Sequence, residues 1–400
     1  MKNEKLKAIL KQNAMVIVLV LVYLFFVITT GGTIASPDNF ENLINQNAYV
    51  FILGIGMMMC MLTGGNIDLS CGSVVCFLGA VLGVFMVKLD MGVGVSLLLV
   101  LGVGLAYGAI LGYAIAYLNI PPWIATLAGY LAFRGLGTAV LTTKLGEADR
   151  YAATSAIPFT DHPSFINMFS GKVFETPYGE LNIVCIIVGV LAAAIVAYLN
   201  FSKRASKIKK GYEAESKTMT IVKTAIEVAV IVLFAVMLSI SGGIPTVLIW
   251  VVLLLVIYSF ITERTTLGRY LLAVGGNGET SRLSGINTKL VLFGAYMNMA
   301  FLTTITTFAT ASRYTSANSF AGKDFEMDAI AACVVGGVSA YGGSGTVFGM
   351  VIGALLIGVI NLGMFLMNID DNWQKVVKGL VLLAAVVFDI LSKKSKALKK

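Results

Sequence analysis

The sequence predicts an all-α polytopic membrane protein with ten to twelve transmembrane helices, and three observations carry that reading. Of 400 residues, 58% are hydrophobic and only 12% charged, with a mean hydropathy of +0.88, whereas soluble domains carry about 25% charged residues. Apolar runs of roughly 17–25 residues recur along the chain, the length a helix needs to cross a bilayer with its own backbone satisfied. The alternating ~10-residue segments of a membrane β-barrel do not occur in the sequence.

Twelve candidate spans follow in order: Ala14–Thr30, Asn47–Leu62, Ser70–Val87, Val93–Leu118, Trp123–Leu141, Asn182–Leu199, Ala225–Ile240, Pro245–Ile261, Leu290–Ala311, Asp328–Gly342, Val347–Met367 and Trp373–Leu391. The second and tenth are short enough to be re-entrant or broken helices. Lys2 to Lys11 precede the first run as in a signal peptide; with so many spans behind it, a retained signal-anchor helix is expected.

The net charge is +8, but it lies in clusters beside apolar runs and calls for no nucleic acid. With the N-terminus inside, Met1–Asn13, Phe201–Thr224, Glu263–Lys289 and the tail after Asp389 hold 20 of the 29 Lys and Arg residues. The outside loops hold Lys88, Lys144, Arg150, Lys172, Arg313 and Lys323. Basic residues are retained on the cytoplasmic side, so both termini are expected there. Trp373 then sits at the outer interface with Lys375 and Lys378 snorkelling beside it. The chain reads as one transmembrane domain, 1–400. Within it, 142–181 is extracytoplasmic, 201–224 is a basic cytoplasmic loop and 263–289 is a second cytoplasmic loop.

That second loop is the long polar interruption of the second half. Tyr270–Val274 form a short apolar face, Gly275, Gly276 and Gly278 break the backbone, and Glu279 and Arg282 stand at i,i+3 on a short helix. Such a piece is either a solvated loop or a docking element. As a docking element, its glycines permit close backbone approach, and Gly276 is the position where a bulky side chain would intrude. A change in the outside loop, at Lys172 for instance, is expected to leave such docking undisturbed.

Glycines elsewhere serve packing. Gly104, Gly108 and Gly112, and again Gly345, Gly349 and Gly353, repeat every four residues, which lets helix backbones approach closely in lipid. The five cysteines (Cys60, Cys71, Cys76, Cys185 and Cys333) lie in or beside apolar runs and form no C-x-x-C. They are read as small packing residues. Three segments break the pattern: Thr63–Ser70 (TGGNIDLS), Val335–Thr346 (VGGVSAYGGSGT) and Thr142–Leu181, which holds the only histidine, His162.

Catalytic chemistry is missing. Gly171-Lys172 and Gly322-Lys323 lack the upstream glycine and following Ser/Thr of a phosphate-binding loop. There is no H-E-x-x-H, and one outside histidine builds no zinc site. No nucleophile–base pair is evident. A transport subunit, with no cofactor of its own, is expected rather than an enzyme.

Ionisable residues within a membrane cost at least ~2.5–3.5 kcal/mol on insertion scales and are functional suspects. The candidates are Arg134 near mid-span, Asp68 in the first break, Asp328 at the start of the tenth span, and Glu227 near the inner interface. Asp68 either caps the helix beginning near Ser70 or lines a pathway. Asn66, Ser70, Asn119, Thr126, Asn298, Thr303, Thr304 and Asn361 are further polar groups, able to meet a neutral, hydroxylated solute or simply to bond a neighbouring helix. Of these, Asn66, Asp68, Ser70, Arg134 and Asn298 are taken as pathway candidates.

Several stretches resemble a known family. Thr63–Ser73, TGGNIDLSCGS, is similar to the TGGIDLSVGS signature of ribose/xylose/arabinose-type sugar permeases of ABC importers, with Asn66 as an extra residue. Thr266–Asn287, TLGRYLLAVGGNGETSRLSGIN, resembles that family's FGRYIYAIGGN…ARLSGIN segment. Asp328–Gly345 resembles its DAIAAVVIGGTSL-x-GG-x-G segment, and Trp373–Leu382 its WQQVVKGLVI segment.

The resemblance covers nearly the whole chain and implies a type II ABC-importer permease fold. It implies a homodimer of two permease copies, an ABC ATPase subunit with two nucleotide-binding domains that uses ATP and Mg, and an extracytoplasmic sugar-binding protein. It also implies that Gly275, Gly276, Asn277, Glu279, Arg282 and Gly285 belong to the coupling element that enters the ATPase. About seventy residues, with the spans at Asn182 and Ala225, stand where smaller ribose-type permeases have none. That longer layout is similar to xylose and multiple-sugar permeases and favours a pentose or several sugars. An ion-coupled secondary carrier or channel for a small polar solute is the competing expectation.

Overall fold

The computed structural model describes residues 14–144, 155–212 and 216–397, with side chains described as far as 387. Met1–Asn13 with its basic residues, Arg150 within 142–181, and the side chains of the basic tail lie outside the described residues.

In chain order the helices open with α1 (Ala14–Thr29) and α2 (Pro37–Leu62), then α3 (Cys71–Gly83, ending in a π-helical turn at Val84–Lys88), α4 (Val93–Ala116) and α5 (Pro122–Thr142). A compact insertion follows, made of β1 (Ala156–Pro158), α6 (Pro163–Ser170) and β2 (Lys172–Val173). Next come α7 (Ile183–Lys209), α8 (Lys217–Ile240), β3 (Ile244–Pro245) and α9 (Thr246–Arg264). The chain closes with α10 (Thr266–Gly276), α11 (Gly278–Leu283), α12 (Thr288–Arg313), β4 (Ser316–Asn318), α13 (Phe325–Val335), α14 (Val347–Leu366) and α15 (Asp371–Ala397). Among the described residues nine helices are long and apolar enough to cross a membrane; α1 is shorter but equally apolar.

The second span is not short. Pro37 at the first helical position and Ser36, whose Oγ accepts from the Asn39 amide at 3.4 Å, start α2 ten residues earlier than the hydropathy indicates. Glu41, Asn42, Asn45, Gln46 and Asn47 interrupt the apolar run there, yet α2 is the central and most buried helix of the bundle. Protein, not lipid, surrounds it, so polar groups are tolerated where neighbours satisfy them.

The tenth span is a half-helix. With 11 residues, α13 reaches about 16 Å, half of a ~30 Å hydrocarbon core. The irregular chain after it, from 336 to 346, buries Val338 and Ser339 but leaves Tyr341 exposed.

The basic stretch Phe201–Thr224 is mostly not a loop. Helix α7 continues to Lys209 and α8 begins at Lys217, with Ser216 Oγ accepting from the Met219 amide at 3.1 Å. The two helices form a peripheral hairpin packed chiefly on itself, with Gly189 against Ala235.

The glycine stripes do pack helices. On α4, Gly104 faces Thr304, Gly108 faces Ala300 and Gly112 faces Phe293, so α4 lies against α12 with almost no side chain between. On α14, Gly349 and Gly353 lie on the Gly336 and Ala332 carbonyls at the end of α13. All five cysteines are buried and free.

Opposite the end where α10 and α11 lie, β1 pairs antiparallel with β4, and β2 with β3. Lys172 ion-pairs with Glu41 at 2.9 Å and donates to the Ser241 carbonyl at 2.7 Å, tying the insertion to α2 and α8.

Candidate functional site

Two of the segments that interrupt the spans, 63–70 and 335–346, meet the 263–289 loop at one point. Helix α2 ends at Leu62, and its carbonyl accepts a hydrogen bond from the Gly343 amide at 3.1 Å. Gly275, in the last turn of α10, lies against the same carbonyl: a Cβ there would overlap the Leu62 oxygen and stand 2.6 Å from the Gly343 nitrogen. Gly342 packs 2.5 Å from the Gly64 backbone by the same measure, and Gly65 lies on the Ala340 carbonyl. Gly64, Gly65, Gly342 and Gly343 all have positive φ, between 72° and 124°, a region that side chains disfavour. Close approach and left-handed backbone together explain why both interruptions carry paired glycines.

Around this junction the loop 263–289 is helical. Leu271 is buried, so α10 is seated on the body by its apolar face. Asn277 then stops one helix and starts the next: its Oδ1 accepts from the Thr280 amide at 2.9 Å, and Ser281 Oγ donates to its carbonyl at 2.9 Å. On α11, Arg282 donates to both carboxylate oxygens of Glu279 at 2.6 and 3.1 Å, and both side chains are about two-thirds exposed. The hydrogen bonds and charge of Arg282 hold the Glu279 carboxyl below its ordinary pKa, and Glu279 raises that of Arg282.

One expectation changes here. Gly275, not Gly276, is the position of closest approach, because nothing lies within 4 Å of a Cβ at Gly276. The i,i+3 spacing of Glu279 and Arg282 does bring the two charges together, with Glu279 occupying the guanidinium. Gly285 ends α11 at φ +86° with open space around it.

The pathway candidates do not share one cavity. Asn66 donates to the Thr63 carbonyl and hydroxyl at 3.3 and 3.1 Å, stiffening the first break. Asp68 accepts from the Ser70 amide at 2.8 Å and from the Ser70 hydroxyl, which also bonds the Tyr107 hydroxyl. This is a local turn ahead of α3, whose N-cap residue is Ser70 without a side-chain cap bond. Asn298 lies elsewhere, accepting from the Tyr258 hydroxyl and donating to Met59 Sδ at 3.2 Å. Arg134 donates to the Ala321 and Ser319 carbonyls at 2.9 and 3.3 Å, joining α5 to the chain after β4. Thr126, Thr303 and Thr304 bond carbonyls four residues back in their own helices. Glu227 accepts from Asn200 at 2.6 Å.

Sequence reasoning missed one polar cluster. Asp328, buried on α13, pairs with Lys378 of α15 at 3.0 Å and accepts from the Tyr49 hydroxyl at 2.5 Å and from Asn361 at 3.3 Å. Lys378 therefore does not snorkel; it is drawn inward to a buried carboxylate. Lys375 pairs with Asp324 at 3.2 Å. The available signal was the pairing of an intramembrane Asp with an intramembrane Lys late in the chain, but their 50-residue separation hid it.

Comparison with known proteins completes the picture. Residues 39–386 match the family described as branched-chain amino acid transport system / permease component. The chain is 34% identical to the xylose transport system permease protein of Haemophilus influenzae, over 98% of this chain and 99% of that one. It is 33% identical to the corresponding protein of Escherichia coli, over 95% and 92%. It is 28% identical to the ribose import permease protein of Haemophilus influenzae, over 97% of each. No solved structure matches.

Proposed function

Because the chain belongs to the branched-chain amino acid transport system / permease component family, we propose that two copies of it form the membrane pathway for a monosaccharide, with xylose or another pentose as the first candidate. It is a sugar ABC importer permease, related over nearly its whole length to sugar permeases. As a multi-pass membrane subunit of such an importer it works with an ATPase and a binding protein. ATP and Mg are bound by that ATPase, which carries two nucleotide-binding domains, and no chemistry is assigned to this chain.

We place the α10–α11 end and both termini in the cytoplasm, and the β1–β4 end outside, facing the sugar-binding protein. The chain is one domain, 1–400, with 142–181 outside and both 201–224 and 263–289 inside. Gly275, Gly276, Asn277, Glu279, Arg282 and Gly285 form the coupling element. Asn66, Asp68 and Ser70 belong to the break it rests on, and Arg134 and Asn298 are assigned to the frame of the pathway.

The observation that carries this reading is the seat of Gly275 on Leu62 and Gly343. A push on α10 would reach the end of the central helix and the loop after the half-helix at once, with no side chain to absorb it. An ion-coupled carrier gains no support from the family relationship and has no use for such an element. Reconstitution in liposomes tests the proposal. Xylose-loaded binding protein should stimulate ATP hydrolysis and xylose uptake only when ATPase and permease are both present. Uptake that persists without ATPase and follows an ion gradient would overturn it.

A further inference from the structure

Near the α10–α11 end, a cavity of 560 Å³ opens between the C-terminal turns of α7, the first turns of α8 and the end of α9. Lys203, Arg204, Lys207, Lys223 and Arg264 converge on it, with Ser206 among the polar lining. Lys203, Lys207, Lys223 and Arg264 are exposed, and among the described residues none of these four has an ion-pair partner. Like charges gathered in one cavity repel. Retention of basic residues on the cytoplasmic side explains their number but not their convergence from three helices.

A second cavity adjoins the first. It is a groove of 460 Å³ between α9 and α14, lined by Val252, Val256, Phe260, Phe348 and Val351, and it shares Lys203 and Arg264 with the basic cavity. Val256 and Phe260 are exposed, so the groove opens on the outer surface of the helix bundle. Glu263 stands at its edge, while Glu227, on α8, is engaged by Asn200. A strongly cationic head site thus runs into an apolar channel at membrane level.

The position has structural consequences. The α7–α8 hairpin packs chiefly on itself, and its tie to the body near Phe40 and Phe234, whose rings lie 5.1 Å apart, is toward the opposite end. At the basic end a gap separates it from α9 and α14.

We propose that this composite pocket holds one anionic phospholipid, its phosphate on Lys203, Lys207, Lys223 and Arg264 and one acyl chain in the α9–α14 groove. The lipid closes the gap between hairpin and body. Each Lys or Arg near an anionic surface contributes about 1 kcal/mol, so losing three lysines should weaken binding by roughly a hundredfold.

Native mass spectrometry of the full-length permease in detergent tests this. Phosphatidylglycerol, phosphatidylcholine with the same acyl chains, and inorganic phosphate are titrated separately and in competition. One phosphatidylglycerol should bind at least tenfold more tightly than phosphatidylcholine, with phosphate unable to displace it. Combined Lys203→Gln, Lys207→Gln and Lys223→Gln should abolish the preference, while Lys→Arg at the same positions retains it. Equal binding of the two lipids, an unchanged preference in the Gln variant, or full displacement by phosphate would overturn the proposal, the last marking a soluble-anion site. Should the Gln variant fail to assemble, Val256→Trp decides. It fills the groove and leaves every charge, so undiminished phosphatidylglycerol affinity in it would also overturn the proposal.

Discussion

Gly275 lies so close to Leu62 that no Cβ could be placed between α10 and the last carbonyl of the central helix. The same carbonyl already accepts from Gly343 at 3.1 Å. Three segments distant in sequence are therefore locked by backbone alone. A backbone-to-backbone contact has few soft degrees of freedom, which suits the coupling role proposed for α10.

Gly275→Ala should disrupt this contact, whereas Gly276→Ala, with open space at its Cβ, should not. Overpacking at Gly275 should cost about 1–3 kcal/mol and reduce binding-protein-stimulated ATP hydrolysis, while Gly276→Ala leaves thermal stability in detergent unchanged. Equal melting temperatures for the two variants would show that the junction can spread to accept a methyl group.

Lys378→Met should destabilise the permease by about 3–5 kcal/mol, since it leaves the Asp328 carboxylate buried and uncompensated, and Asp328→Asn should cost less, because Lys378 is partly exposed. The double variant should recover much of that loss. A double-mutant cycle on denaturant unfolding measures the coupling, and strict additivity would mean that the two groups act independently.

Arg134→Leu should impair assembly or transport more than Lys209→Leu. It strands the Ala321 carbonyl, at about 1–3 kcal/mol for an unsatisfied buried group, and leaves the Ser319 carbonyl with the Cys76 thiol at 3.6 Å, whereas Lys209 is exposed at the end of α7. Membrane-inserted, fully active Arg134→Leu protein would show that those carbonyls find other donors.

Arg282→Glu should leave the permease folded, because both partners of the pair are largely exposed, and should weaken its association with the ATPase. Co-elution of the two subunits at low and high salt reads this out: the defect should shrink as salt screens the contact. A defect independent of salt would point to lost helix geometry instead of charge.

For topology, a single cysteine at position 209 in a cysteine-free background should resist impermeant labelling in intact cells, and one at Tyr178 should react. Outside labelling of position 209 would invert the orientation and move the coupling element to the wrong side of the membrane.

Hydropathy and motif spacing in the sequence were enough to establish an all-α polytopic protein, most of its spans, the packing role of the Gly104–Gly112 stripe, and the short helix that carries Glu279 and Arg282. These properties depend on local composition and on i,i+3 or i,i+4 spacing, which a chain displays directly. The tertiary structure alone decided that α2 begins at Pro37, since burial in protein offsets the polarity that hydropathy counts against it. It alone decided that Asp328 meets Lys378, a pairing made by two helices that turn toward one another. It also decided that Gly275 rather than Gly276 is the tight position. Adjacent glycines are equivalent in a sequence; only the direction of each Cα relative to a neighbouring backbone distinguishes them.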